Sequence, residues 1–232
     1  MLEVFLILLA AGIMLATAIS SPRDVTLNWL RLAGIIALAC AGTASFWFFL
    51  RASDSTAARV LLGASVMAIL AQLGLVQLAW RNGQRACAVV ACALGIACGA
   101  LLLHLEPGAS DRRLWCEALG AFGAASVCGL ALMDMLLGHA YLTASKLAIA
   151  PFRRLNLALA IALAVQIVTS IVIAHFVNQS RPVDRLWGIH GLYIATRWFL
   201  GLLVPAVFVY MADDCIKRRS TQSATGILYV TG

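Results

Sequence analysis

Apolar runs of about 20 residues recur along this chain, and the short stretches between them hold nearly all of its charge. Coiled as a helix at about 1.5 Å per residue, such a run matches the hydrocarbon thickness of a bilayer. In lipid each backbone N–H and C=O must find its partner within the segment, so the runs become helices. The pattern dictates an all-α polytopic transmembrane helix bundle with short loops. It predicts seven full spans plus a marginal or truncated eighth, in one integral membrane domain covering residues 1–232.

The expected spans are Leu2–Ser20, Trp29–Leu50, Val60–Trp80, Ala86–Leu105, Leu114–Leu142, Leu155–Val177 and Gly188–Ala212. The closing segment QSATGILYVTG is too short to cross and reads as the start of an eighth helix. Met1-Leu2-Glu3 brings no positive charge ahead of the first run, which argues for a retained helix over a cleaved signal. With 62% hydrophobic and 12% charged residues spread along the whole length, no stretch is left for a soluble domain.

The net charge of +7 comes from Lys and Arg placed singly or in pairs between apolar runs. That is how topology determinants and contacts to anionic headgroups are distributed, and it excludes a nucleic-acid surface. Alternate loops carry Arg23, Arg81, Arg85, Lys146, Arg153, Arg154, Lys217, Arg218 and Arg219 on one side. The other side carries Arg51, Arg59, Arg112, Arg113, Arg181 and Arg185. The richer side is expected in the cytoplasm of a bacterial-type plasma (inner) membrane, with the N-terminus outside. Trp29, Trp80, Trp115, Trp187, Tyr141 and Tyr210 fall near span ends, where an interfacial aromatic belt belongs.

Small residues predict close helix contacts: Gly95 and Gly99 in a G-x-x-x-G, and Gly120, Gly123, Ala124 and Ala125 in the next span. Pro205, deep in the seventh span, should bend its helix and free a carbonyl about one turn earlier, near Gly201. Seven cysteines show no C-x-x-C or zinc spacing and behave as small apolar residues.

The candidate chemistry is intramembrane. His190, Tyr193 and Arg197 stack on one helix face, with Arg197 about 14 Å below the end of its span. An arginine at that depth marks a function or a partner. Its side chain leans toward the helix N-terminus, which makes Glu117 the expected neighbour and these four residues a ligand-binding site. His104, His175 and His190 fall at one outer level, where imidazoles ligate a haem b or a metal or bond a quinone carbonyl. Asp134, about 10 Å from the opposite end of its span, forms an inner polar cluster with His139 and Gln72. No nucleophile elbow, P-loop, zinc-protease or dinucleotide motif is present, and whether the chain is an enzyme is open on these residues.

The eight-helix, short-loop, N-out layout resembles that of the quinol-oxidising membrane anchors of bacterial oxidoreductases. That resemblance is one of architecture. The outer His, Tyr and Arg constellation, with loops too short to do chemistry alone, points to a membrane subunit of a redox or respiratory complex in electron transport, docked to other subunits and holding a quinone or haem site on the outer side. The intramembrane charges support two further readings: a small-solute or proton-coupled transporter, and a non-catalytic membrane scaffold or assembly protein.

Overall fold

Closure of hydrogen bonds within each apolar run gives helices throughout, and no strand among the described residues. The computed structural model describes residues 2–20, 25–50, 55–105, 114–143, 149–178, 191–192, 195–196, 198–218 and 220–231. Six long helices come first: α1 (Leu2–Ile19), α2 (Leu27–Leu50), α3 (Thr56–Gln77), α4 (Arg81–His104), α5 (Leu114–Thr143) and α6 (Ala150–Asn178). A π-helical turn, Phe199–Leu203, then leads into α7 (Val204–Lys217), and α8 (Thr221–Thr231) closes the chain. Among the described residues seven segments are long and apolar enough to cross a membrane, the seventh being Phe199–Lys217. The protein is an all-α, multi-pass integral membrane protein.

Several helices begin earlier than hydropathy indicates, and the first residues of two of them show why. The Ser55 hydroxyl accepts the Ala58 N–H at 3.3 Å, so α3 starts at Thr56 and not at Val60. The stretch Arg81–Arg85, expected as loop, is the first turn of α4. That leaves a short turn after α3 in which Ala79 takes a left-handed φ of 54°. Pro151 sits in the first turn of α6, where its missing N–H costs nothing, so α6 starts at Ala150 ahead of Leu155. Just before Pro205 the helix widens into a π turn, and the Val204 N–H reaches back to the Phe199 carbonyl.

The centre of the bundle is α1, which packs against α2, α4 and α5. Small residues let its neighbours close in. A Cβ at Gly12 would strike the Ala125 carbonyl and the backbone of Gly129, so α1 and α5 touch main chain to main chain. Gly95 and Gly99 of α4 face Ala11 and Leu8 of α1, the close approach expected of that motif. α3 lies outside, against α2 and α4. α5 links this group to the rest, since it also packs on α6 and α8, while α7 packs on α6 and α8. Exposed Leu70, Val168 and Val207 present apolar surface suited to lipid.

These contacts set directions. Gly95 meets Ala11 while Gly99 meets Leu8, so α1 and α4 are antiparallel. We call the side where α1 begins the near face and the side where it ends the far face. At the far face, the Arg85 guanidinium donates to the Ala18 carbonyl at 2.8 Å, placing a cation on the C-terminal carbonyls of α1. Trp80 is exposed, as the aromatic belt requires, but Trp29 and Tyr141 are buried in the bundle. Tyr141 stacks on Phe152 with ring centroids 5.2 Å apart. Trp187 lies outside the described residues.

Candidate functional site

The register of α5 against α6 is fixed by two glycines. Gly123 has the Gln166 side-chain amide directly over it, and Gly138 approaches the Phe152 ring, where an added Cβ would lie 3.3 Å from Cζ. The two helices therefore run antiparallel, residue for residue. Asp134 stands about three turns beyond Gly123 and about one turn before Gly138, on the same stripe of α5. It faces α6, level with Asn156, which lies one turn beyond Phe152. With α5 running on to Thr143, Asp134 is about 13 Å in from the far end of its helix.

This seam holds polar groups that are short of partners. Asp134 has no exposed surface, and both of its carboxylate oxygens lack a hydrogen bond. Asn156 is 1% exposed; its Nδ2 donates to the Val209 carbonyl of α7 at 3.3 Å, and its Oδ1 has no partner. The Oε1 of Gln166, further toward the near face, is also unpartnered. An unmet buried acceptor typically costs about 1–3 kcal/mol, and more for a charged group. Four, from three residues along one helix seam, are a concentration that packing alone does not call for.

The last helix closes this region from the far face. Thr225 of α8 is buried against Gly138. The Tyr229 hydroxyl lies 3.1 Å from His139 Nδ1, with the rings edge to face. The segment expected as a marginal eighth span is thus a helix of 11 residues packed along α5 and α7.

At the near face a second polar pair appears. His104 at the end of α4 and Glu117 at the start of α5 meet, Nδ1 to Oε2, at 3.2 Å. Glu117 is buried, and its Oε1 has no hydrogen-bond partner. The carboxylate expected beside Arg197 therefore has an imidazole against it.

The remaining sequence candidates separate. Gln72 is buried on α3 with its amide oxygen against Gly34 of α2, so it belongs to the α2–α3 contact and not to the seam that carries Asp134. Its neighbour Gln77 accepts from the Arg31 guanidinium at 2.7 Å. His139 is at the far face and His104 at the near face, so these two imidazoles do not share a ligand. His175 lies on α6 with its side chain outside the described set. His190, Tyr193 and Arg197 lie outside the described residues altogether. Among the described residues no three His, Cys, Asp or Glu side chains come together as a metal site.

Asn156, Thr225 and Tyr229 were not singled out from sequence. A lone Asn within LNLALAIALA was a readable signal, since each amide in lipid needs a partner. Thr225 and Tyr229 gave none, because nothing in the chain indicates where its last helix docks. Compared with known families, curated proteins and solved structures, the chain matches none.

Proposed function

We propose that this membrane protein is a proton-coupled carrier in which Asp134 takes up and releases the proton. The observation that carries the reading is the complete burial of Asp134, with neither oxygen bonded, about 13 Å deep on an inter-helix seam. A carboxyl so placed is uncharged or has a cation beside it. Intramembrane carboxyls of this kind serve as relay groups in pumps and transporters. Asn156 supplies a fixed carbonyl at the same depth, held by its bond to α7. His139 and Tyr229 stand toward the far face as the exchange point with water, and Gln166 continues the seam toward the near face. The widened turn before Pro205 gives the α7 segment, bonded to Asn156, a place to flex.

The test is reconstitution in vesicles with an interior pH dye and an imposed proton gradient. Asp134→Asn is expected to lower proton-coupled flux roughly 100-fold, the scale of a lost acid–base group, while Asp134→Glu retains part of it. Equal flux in Asp134→Asn and the parent protein sinks the reading.

The His104–Glu117 pair favours a second reading, a membrane subunit of a redox complex with a quinone site at the near face. An imidazole backed by a carboxylate bonds a quinone carbonyl and accepts its proton on oxidation. Co-purification of quinone from the native membrane, lost in His104→Ala, supports this reading. Preparations free of quinone and of any redox partner count against it. In both readings the far face, rich in arginine, is cytoplasmic.

A further inference from the structure

A cleft of about 560 Å³ opens at the far face, between the start of α6 and the end of α7. Its walls are Arg153 and Arg154 from α6 and Lys217 from α7, over a floor of Ile149, Leu157 and Ile216. Both arginines are exposed, and among the described residues no carboxylate pairs with Arg153. The nearby acids are engaged on α7 itself, Asp213 with Lys217 and Asp214 with Arg218. Three cations thus line the cleft from two helices, and Lys217 among them is paired with Asp213 of its own helix.

The cleft lies at the first residues of one candidate span, Ala150–Ile173, and the last of another, Phe199–Lys217, the depth at which headgroups meet a spanning helix. Its apolar floor continues up the lipid-facing side of α6 through Leu157, which is exposed. A soluble anion would use the cations and leave that floor bare. A phospholipid uses both, with its phosphate among the cations and an acyl chain along Leu157. We propose that this cleft is a binding site for the headgroup of an anionic phospholipid. The lipid joins α6 to α7, the two helices already linked by Asn156 and Val209. The site is independent of Asp134 and of any transport activity.

The test uses the full-length protein in detergent, mixed with equal amounts of phosphatidylglycerol and phosphatidylcholine and read by native mass spectrometry. The parent protein is expected to retain phosphatidylglycerol in preference. Arg153→Gln, Arg154→Gln and Lys217→Gln together should abolish the preference, at roughly fivefold per cation removed. Arg218→Gln, outside the cleft and paired with Asp214, should leave it unchanged. If the triple variant loses its helical circular dichroism, Arg153→Gln alone decides, with about a fivefold drop expected. No preference in the parent protein overturns the proposal, and so does an undiminished preference in a folded variant. Displacement of the lipid by millimolar glycerol phosphate also overturns it, since the site would then read a free anion.

Discussion

Asp134 of α5 and Asn156 of α6 lie at one depth on the seam between their helices. The contact of Gly138 with Phe152 is about one turn to one side and that of Gly123 with Gln166 about three turns to the other. Asn156 spends its amide N–H₂ on Val209, which leaves its Oδ1 and both oxygens of Asp134 as unpaired acceptors. Three unpaired acceptor oxygens at one depth call for a proton or a cation among them. Asn156→Leu should therefore perturb the handling of Asp134, changing the pH dependence of flux while the protein still inserts. Asn156→Gln should restore part of the parent profile. Identical pH profiles for all three proteins would remove Asn156 from the site.

The central crossing of α1 and α5 rests on two glycines with no room for a side chain. Gly12→Ala and Gly129→Ala each place a Cβ against backbone of the other helix. Each should cost at least about 1–3 kcal/mol, the usual range for overpacking. Gly120→Ala, with nothing within reach of its Cβ, should be neutral or slightly stabilising. Thermal unfolding in detergent, followed by thiol-reactive dye at the native cysteines, checks the contrast. Equal melting points for Gly12→Ala and Gly120→Ala would contradict this packing.

The near-face pair has a one-sided cost. His104→Ala leaves both oxygens of buried Glu117 without a partner and should destabilise by about 1–3 kcal/mol. Removing both groups together, as His104→Leu with Glu117→Leu, should cost less than the sum of the single changes. Additive losses in a double-mutant cycle would show that the two side chains do not interact.

Arg85 closes the C-terminal end of α1 through the Ala18 carbonyl. Arg85→Ala should cost about 1.5–3 kcal/mol, the range for a hydrogen bond from a charged donor. Proteolysis or hydrogen exchange at residues 16–20 should report the fraying directly. Unchanged protection there would mean that water replaces the guanidinium without loss.

The arginine count predicts that the far face is cytoplasmic. In a cysteine-free background, Arg218→Cys should resist a membrane-impermeant maleimide in intact cells and react after lysis. Labelling in intact cells would invert the orientation.

The spans were legible because lipid imposes a length and an apolar composition that a sequence cannot hide. What lies beside what was less legible. α1 is apolar all round, so nothing in its pattern announces that it is the helix the others surround. The Gly95–Gly99 motif correctly marked a close contact but named no partner. Asp134 was readable as an expensive group. Its level partner Asn156 depends on the α5–α6 register, set by Gly123 and Gly138. Gln72 misled for the same reason: depth within a span can be read from sequence, whereas the facing helix cannot. The helix starts at Thr56 and Ala150 lie ahead of their apolar runs because the Ser55 cap and a first-turn proline, Pro151, both favour helix among polar residues.

The most direct test of the central claim is modification by a lipid-soluble carbodiimide, which reacts with protonated carboxyls out of reach of water. Protein in vesicles would be treated, digested and mapped by mass spectrometry, with proton flux measured on the same samples. An adduct at Asp134 is expected, with flux falling in proportion to its occupancy and Asp134→Asn unlabelled and already inactive. Full modification of Asp134 with undiminished flux would contradict it.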